Sequence, residues 1–425
     1  MRNSKFLTTQ KVALTLGICL FVVFLIPTPG TGNMDTWVRW INEAIDLGLV
    51  DAYSLNHDTY PPLTLVILFG VGKISQLLNI WIYTAIKGTI AAFLLLTTLL
   101  TLWATKDLLL SLLLLGGVLI NSVALGHLDI FFAPTLVLAL WALKEKRLVL
   151  FTIAFCFSFL TKWQPLIIAP FIALYILGID RLSDWKQIDL RGILKKILIP
   201  ALGILALTFI LFGIKPVITA FSYASDHHYL SGNALNLNWI LTHFLHVFKP
   251  GQYGPLINGQ AELIIGPPYS VKLIPKLIFF LVYILTAIVF FKQKKTFGNL
   301  MWFSLLGYWA YFTLNTGVHE NHFFVAIILA ALLYWVEKKH LYTLLTVLLI
   351  GNVNLLVFNG LDGAENQFSR LVSGVDMALV IAFFNVLVFA LYWIFAIFPW
   401  RRTQRSANGD EFAQHPRAGA SGKLT

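Results

Sequence analysis

Charged residues are scarce in this chain of 425 residues, at 12% of the sequence. Soluble domains carry about 25% charged residues and about 45–50% apolar ones, whereas 58% of this sequence is hydrophobic. The apolar residues form long runs, such as 194–212 and 375–398, that approach or reach the ~20 residues a helix needs to cross a bilayer. The scarcity of charge therefore excludes a soluble protein, and the sequence predicts a bundle of membrane helices.

Cysteine is also rare. The two cysteines, Cys19 and Cys156, both fall inside apolar runs, and the sequence has no Cys-x-x-Cys pair. A disulfide between them and a cysteine-based metal site are therefore disfavoured. The first apolar run, which begins at Val12, lacks a small-x-small cleavage site and ends instead in a Pro-Thr-Pro-Gly segment at 27–30. We therefore expect an uncleaved first membrane helix rather than a removed signal peptide.

The net charge of +11 is spread along the chain rather than gathered in one patch. Lysine and arginine recur in short loops between apolar runs, which is the pattern that the positive-inside rule produces on the cytoplasmic side of a membrane. A nucleic-acid-binding protein would instead collect this charge on one face or along one helix. We therefore expect membrane lipids as partners and no nucleic acid.

The apolar segments outnumber the crossings that the charges allow. Thirteen segments can be marked, at 12–27, 62–80, 82–103, 107–125, 128–143, 148–161, 164–178, 194–214, 272–291, 298–315, 322–337, 340–358 and 376–398. Thirteen crossings would place the two basic termini on opposite faces. If segment 62–80 does not cross, every strongly basic loop falls on the face of the N-terminus. The segment opens with two prolines, which is typical of an interfacial or re-entrant helix.

The predicted fold is therefore all-α and polytopic, with about twelve transmembrane helices and one juxtamembrane helix. Residues 1–400 are expected to form a single membrane domain, whose large outer loops lie at 28–81, 215–271 and 359–375. Residues 401–425 are polar, and we expect them to form a disordered cytoplasmic tail. Both termini are expected on the cytoplasmic side.

Residues that could carry chemistry collect in the outer loops. The outer side is assigned only from lysines and arginines in other loops, yet six polar clusters all lie on it. The clusters are Asp35 with Arg39, His57-Asp58, His127 with Asp129, Lys162 with Gln164, Asn236 to Trp239, and His319-Glu320-Asn321-His322. Ionisable groups in or at the edge of a membrane are costly and usually mark a functional site. Their common side predicts a site on the exterior or lumenal face.

Some of these clusters also have an explanation in helix and turn chemistry. Asp35 could be the N-cap of a helix that begins at Thr36. His127 and Asp129 could cap the helix that follows them, and His319-Glu320 could do the same at the later turn. These alternatives stay open at the level of the sequence.

The remaining clusters have similar alternatives. Asp58 could end a turn, and Lys162 could extend its ammonium group to the interface. The segment from Asn236 to Trp239 could be an interfacial helix with a tryptophan anchor. A zinc site at the two histidines of His-Glu-Asn-His is disfavoured, because the helical zinc motif places histidines at i and i+4 rather than i and i+3.

Six short motifs follow one another in the outer loops in a recognisable order. They are Asp35 with Arg39 and Trp40, Asp58-Thr59-Tyr60-Pro61-Pro62-Leu63-Thr64, Gly126-His127, Lys162-Trp163-Gln164 with Pro170, Asn236 to Trp239, and Val318-His319-Glu320-Asn321. Together they resemble the GT-C superfamily of membrane glycosyltransferases, and more narrowly the glucosyltransferases that extend lipid-linked oligosaccharides from dolichyl-phosphate glucose. The chain departs from that pattern at Leu125, Asp129 and Asn321, as a prokaryotic relative with another sugar or acceptor would.

The resemblance implies transfer of a hexose, with inversion, from a polyprenyl-phosphate donor to a lipid-linked or glycan acceptor. It gives Asp35 as the general base, and Lys162, His319 and Arg39 as ligands of the donor phosphate. The implied sugar and acceptor ligands are Asp58, His127, Asp129, Gln164, Trp239, Glu320 and His322. No cofactor or metal is expected, because no nucleotide diphosphate has to be held and the outer loops carry no tight Asp-x-Asp pair.

Two other functions remain open at this level. A polytopic protein with polar groups on one face could be a transporter or a lipid-linked sugar flippase without transferase activity. That function predicts inverted repeats and broken helices near the membrane midplane, whereas the charged groups here lie near one edge and no half-to-half symmetry is visible. A non-catalytic partner in polysaccharide assembly is the third possibility.

Overall fold

The computed structural model describes residues 15–55, 60–179, 186, 188–225, 227–363 and 370–398. The predicted ligand Asp58 and the predicted tail 401–425 lie outside these residues. Helix accounts for 79% of the structure. In the described part of the chain, the only β-structure besides isolated bridges is the hairpin of β1 (Leu371–Val372) and β2 (Val375–Asp376).

Nineteen α-helices follow one another in the described part of the chain. The first half of the chain forms α1 (Thr15–Leu25), α2 (Asn33–Leu47), α3 (Leu49–Leu55), α4 (Pro62–Leu78), α5 (Ile82–Thr105), α6 (Leu108–Leu119), α7 (Ala133–Lys144), α8 (Leu148–Thr161) and α9 (Ala169–Leu177). The second half forms α10 (Leu190–Ile193), α11 (Ile199–Phe212), α12 (Ile214–Ser225), α13 (Leu237–Phe248), α14 (Pro250–Tyr253), α15 (Tyr269–Phe291), α16 (Phe297–Leu314), α17 (Phe324–Val336), α18 (Leu341–Asn359) and α19 (Met377–Ile397).

Tighter and wider helical turns join or extend several of these helices. The 3₁₀ turns are Leu128–Phe132, Gln164–Ile168, Glu320–Phe323 and Lys338–His340, and the π-helical turns are Ile120–Ala124 and Leu194–Leu198. The second π-turn connects α10 to α11, so that one continuous helix runs from Leu190 to Phe212. Each of the four 3₁₀ turns immediately precedes an α-helix, and the first three hold predicted site residues.

Five helices are long and apolar enough to cross a membrane. They are Ile82–Thr105, Leu190–Phe212, Tyr269–Phe291, Lys338–Asn359 and Met377–Ile397. Each has at least the ~20 residues that the hydrocarbon core requires, and each coincides with a predicted apolar segment. The protein is an all-α membrane protein, as the composition predicts.

The helices differ in how much of their apolar surface other helices cover. Every residue of 324–333 in α17 is buried, so this helix lies at the centre of the bundle. In contrast, only 6% of the apolar window of Leu190–Phe212 is buried. A helix that is apolar all round and uncovered by protein needs a lipid environment, so this helix lies at the periphery of the bundle.

Helix α4, the segment that the charge pattern singles out, is shorter and packs on α2. Pro62 occupies its first turn, where the missing N–H costs nothing. Gly72 lies against Ile41 and Ile45 of α2, and a Cβ at this position would fall 2.6 Å from both side chains. The close approach of the two helices holds the segment around Tyr60 next to the N-terminal turn of α2.

Candidate functional site

Polar side chains from five parts of the chain surround one small cavity of about 150 Å³. Its lining comes from the start of α2, the segment before α4, the turn after α8, the end of α12 with the loop after it, and the 3₁₀ turn before α17. The lining residues are Asn33, Trp37, Tyr60, Lys162, Gln164, Ala224, His227, His319, Glu320, Asn321 and His322. We call this space the polar cavity.

A break in regular helix forms the floor of the polar cavity. After α6, the backbone widens into the π-turn Ile120–Ala124 and then reverses at Gly126, whose φ of 75° is in the left-handed region. Glycine is required there because other residues rarely adopt this φ, and because a Cβ would lie 2.4 Å from the Met34 sulfur. The reversal places His127 and Asp129, both buried, beneath the cavity.

Lys87 of α5 stabilises this break. Its ammonium donates to the carbonyl oxygens of Val123 and Ala124, both at 2.7 Å, and to the hydroxyl of Thr28 at 3.2 Å. Carbonyls at a helix end have no partner within the helix, and here a buried cation satisfies them.

Lys87→Met is expected to lower the free energy of unfolding by about 2–3 kcal/mol, because hydrogen bonds to charged groups contribute about 1.5–3 kcal/mol. Thermal unfolding in detergent, followed by tryptophan fluorescence, measures the change. Lys73→Met on the exposed side of α4 is the control and should unfold like the wild type. Equal melting of the two variants would contradict the role given to Lys87.

Lys162 is the central cation of the polar cavity. It follows the last residue of α8 and is 5% exposed, so its ammonium does not reach out to the interface. Its Nζ lies 3.2 Å from Asp129 Oδ1 and donates a hydrogen bond of 2.7 Å to the Tyr60 hydroxyl. Burial alone would lower the pKa of Lys162, but the adjacent Asp129 and Tyr60 outweigh it and raise that pKa. The lysine is therefore a fixed, protonated donor.

Side-chain contacts also fix Asp129 and His322 at the floor and wall of the polar cavity. Asn321 Nδ2 donates to Asp129 Oδ2 at 2.8 Å, so both oxygens of that carboxylate are engaged. Gln164 Nε2 lies 3.0 Å from His322 Nε2, and the Tyr311 hydroxyl lies 3.0 Å from His322 Nδ1. These contacts fix the orientation of the His322 ring at the wall of the cavity.

Glu320 is the one carboxylate among the described residues that line the polar cavity. Its Oε1 lies 3.9 Å from His127 Nε2, and its Oε2 lies 3.9 Å from His319 Nδ1. Burial raises the pKa of Glu320 to about 7, because a charged carboxylate is poorly solvated there. Near neutral pH, this group can therefore accept a proton.

The histidines around Glu320 are neutral. Burial, together with Lys162 and Lys87, lowers the pKa of His127 to about 3, and burial beside His227 lowers the pKa of His319. Neither ring nitrogen of His127 has a hydrogen-bond partner within the described part of the chain. A neutral imidazole carries one N–H donor and one acceptor, and the ring of His319, which lines the polar cavity, can offer either to a ligand.

The 3₁₀ turn that carries Glu320 is held by the second outer loop. Gly232 N donates to Val318 O at 2.8 Å, and Glu320 N donates to Gly232 O at 3.0 Å. A Cβ at Gly232 would fall within 2.8 Å of three atoms of the His319 ring. His319 also caps this turn together with His322, as the alternative from the sequence allows. His319 can therefore cap the turn and line the polar cavity at the same time.

The structure brings together seven of the predicted site residues. Five line the polar cavity, and two lie directly beneath it. They are Lys162, Gln164, His319, Glu320 and His322 on the wall, with His127 and Asp129 beneath. These residues belong to three of the six predicted clusters, and the side of the membrane on which they lie stays a prediction.

Asp35 and Arg39 do not face the polar cavity. Asn33 and Trp37 of α2 line it, and Asp35 is two residues from each, so a 3.6-residue period turns it to the other side of the helix. Asp35 Oδ1 accepts a hydrogen bond from Tyr83 instead. Arg39 is exposed and lies 4.0 Å from Glu43. The role of Asp35 as the base stays a prediction.

Trp239 also lies away from the polar cavity. It is fully buried in a second apolar cluster, with its ring 4.9 Å from that of Phe358 and an edge-to-face geometry. Asn236 caps α13 through hydrogen bonds from Asn238 N and Trp239 N. Trp239 is therefore not an exposed interfacial anchor, although the C-terminal half of α13 exposes Phe244, Val247 and Phe248.

Several lining residues were not expected from the sequence. Asn33, Trp37 and His227 belong to none of the predicted motifs. His227 is next to His228 in a polar loop, and paired histidines in such loops usually have no function. Tyr60 lies inside the Asp-Thr-Tyr-Pro-Pro motif, which points to this segment but not to the tyrosine itself. Its role depends on a contact with Lys162, 102 residues away, and no local pattern encodes that contact.

An apolar groove of about 350 Å³ lies beside the polar cavity and shares Gln164 and Ala224 with it. Phe279 and Phe280 of α15 and Phe221 of α12 form much of its wall, and Lys276 lies among them. Aromatic walls with one cation suit an apolar chain that ends in an anionic group. We call this space the apolar groove.

The described residues contain no group of three or more His, Cys, Asp or Glu side chains that could hold a metal ion. Both ring nitrogens of His322 already contact Gln164 and Tyr311, which takes it out of a ligand set. No protein-family model matches the chain, and no curated protein matches its sequence.

Proposed function

We propose that the protein transfers a hexose from a polyprenyl-phosphate donor to a hydroxyl group of a lipid-linked or glycan acceptor. The observation that carries this proposal is the polar cavity itself, in which Lys162 and Glu320 face one small space. Glycosyl transfer requires a group that accepts the proton of the attacking hydroxyl and donors that stabilise the departing phosphate. Both kinds of group are present in one cavity, next to a groove suited to an isoprenoid.

Lys162 is the proposed ligand of the leaving phosphate. Its ammonium has three N–H groups, of which two are directed at Asp129 and Tyr60, so one remains for a ligand. The neutral ring of His319 provides a further donor, whereas both ring nitrogens of His322 are engaged by Gln164 and Tyr311. Because Lys162 is only 5% exposed, its charge is less screened by water than that of a surface lysine and acts more strongly on the developing charge.

Glu320 is the better-placed proton acceptor in this geometry. It lines the polar cavity, whereas Asp35, to which the resemblance assigns the base, lines another cavity on the far side of α2. A base is most effective when its pKa is near the working pH, and the pKa of Glu320 is about 7. We therefore propose Glu320 as the base, with Asp35 as the alternative.

The pH dependence of transfer should report on Glu320. As the base, it acts only when deprotonated, and its pKa is about 7. We expect kcat to be nearly constant above that pKa and to fall by about tenfold per pH unit below it. Glu320→Asp should shift this limb to lower pH, and a profile flat from pH 5 to 8 would contradict the assignment.

We further propose the finer topology that the charge pattern predicts. The chain would cross the membrane about twelve times, with α4 at one face, both termini in the cytoplasm and the polar cavity on the exterior or lumenal side. In a Cys19→Ser background, a membrane-impermeant maleimide on intact cells should label His228→Cys and spare Glu145→Cys. Labelling of Glu145→Cys alone would show that the chain has the opposite orientation in the membrane.

The alternative function is transport of a lipid-linked sugar without transfer. Purified protein in vesicles, supplied with a panel of radiolabelled polyprenyl-phosphate sugars and a membrane glycolipid extract, separates the two. Transfer yields label bound covalently to an acceptor, whereas transport moves intact donor across the vesicle membrane. Movement of donor without any covalent product would overturn the proposed function.

A further inference from the structure

A second cavity lies on the opposite side of α2 from the polar cavity. Its volume is about 590 Å³, within the range of about 300–1,000 Å³ that is typical of ligand sites. The loop before α2 forms one wall, and the start of α5 forms the other. Its lining includes Thr31, Asp35, Trp81 and Tyr83, whose side chains could contact a ligand. We call this space the rear cavity.

Two aromatic rings, one stacked on the other, form a platform at the rear cavity. Trp81 and Tyr83 are stacked, with ring centroids 4.7 Å apart and an interplanar angle of 18°. Trp81 is 69% exposed, so the stack leaves much of its surface available. The Tyr83 hydroxyl donates to Asp35 Oδ1, and this bond fixes the carboxylate beside the platform.

A buried hydroxyl opens onto the same space. Thr31 is only 9% exposed, and its Oγ1 has no hydrogen-bond partner among the residues that the structure describes. Buried polar groups normally have partners, so this hydroxyl is available to a ligand that enters the rear cavity. Lys87 does not fill that role, because its ammonium is directed at Val123 O, Ala124 O and the Thr28 hydroxyl.

The combination of groups selects one class of ligand. An aromatic face with its negative π-cloud attracts the polarised C–H bonds on one face of a sugar ring. A carboxylate accepts hydrogen bonds from sugar hydroxyls, and a threonine hydroxyl can donate or accept them. An anionic head group would be repelled by Asp35, because the ammonium of Lys87, which also lines the cavity, is already engaged. A lipid tail would leave the Thr31 hydroxyl without a partner.

We propose that the rear cavity binds one sugar ring of the glycan acceptor, stacked on Trp81 and hydrogen-bonded to Asp35 and Thr31. The term acceptor rests on the proposed transferase function, whereas binding of a carbohydrate does not. Asp35 then acts in acceptor recognition, and the two cavities on either side of α2 hold different parts of the substrates.

The test is carbohydrate binding by the full-length protein in nanodiscs. The probe is a glycan array that displays neutral hexose, N-acetylhexosamine and uronic-acid oligosaccharides, followed by titration of the strongest binder. Trp81→Ala should weaken binding by about tenfold or more, and Thr31→Val by about threefold. Trp103→Ala removes another exposed, paired tryptophan at the opposite end of α5 and should bind like the wild type.

The outcomes distinguish this site from the proposed function. Lys162→Met combined with Asp129→Asn should abolish transfer and leave glycan binding intact. If no transfer occurs at all while Trp81→Ala still abolishes glycan binding, the site stands as a carbohydrate site without the acceptor role. Wild-type binding by Trp81→Ala, or no glycan bound by the wild type, would overturn the proposal and leave Trp81 as a membrane anchor.

Discussion

Lys162→Met is expected to lower kcat by about 10²–10³-fold, as the loss of one preorganised donor to a developing oxyanion does. Lys162 is the cation of the polar cavity, and its third N–H group has no other assigned role. Steady-state transfer with a fixed donor and acceptor, at saturating concentrations, measures the loss. Lys162→Arg should recover little activity, because a planar guanidinium does not fit the site of a compact ammonium.

The single variant also disturbs a buried ion pair. Asp129, 1% exposed, would lose its partner at 3.2 Å, and breaking such a pair costs about 3–5 kcal/mol. Lys162→Met with Asp129→Asn removes both charges and should fold better than the single variant while remaining inactive. Wild-type turnover in this double variant would contradict the phosphate-binding role.

Glu320→Gln is expected to lower kcat by about 10²–10⁴-fold, the contribution usual for a general base. The amide keeps the size of the side chain but cannot accept the proton of the attacking hydroxyl. The same change should remove the acidic limb of the pH profile. Both quantities come from one series of initial rates between pH 5 and 8.

Asp35→Asn is the matched comparison, because it makes the same change at the other candidate carboxylate. We expect it to raise the KM for the acceptor, since Asp35 is placed in the rear cavity, and to leave most of kcat. The reverse pattern, with kcat lost in Asp35→Asn and kept in Glu320→Gln, would return the base to Asp35 as the resemblance implies. The two variants therefore decide between the assignments.

The helical membrane fold could be predicted from the sequence because burial in lipid depends on composition and segment length alone. The segment 82–103 corresponds to α5 and 376–398 to α19, with ends that differ by a few residues. The helix breaks were harder to predict. The π-turn Ile120–Ala124 depends on Lys87, a residue 33 or more positions earlier, and the apolar sequence there carries no local signal for it.

The site could be predicted in part. The topology places Lys162 and His319 on one side because charge selects the side of a loop. It cannot give the rotation of a helix about its axis, which is why Asp35 was expected beside Lys162 and instead faces Tyr83. The location of Trp239 in a second apolar cluster could not be predicted for a related reason, because an aromatic side chain in a loop motif can pack inward as readily as it can bind a sugar.

The configuration of the product tests the central claim most directly. Among the described residues, the polar cavity offers one carboxylate, which suits a single displacement, whereas a double displacement needs a nucleophile as well as an acid–base group. Purified protein should therefore convert a polyprenyl-phosphate hexose labelled with ¹³C at C1 into a glycoside of inverted anomeric configuration, as read from the anomeric coupling constant by NMR. No new glycosidic signal with any donor of the panel, or a product of retained configuration, would contradict the account.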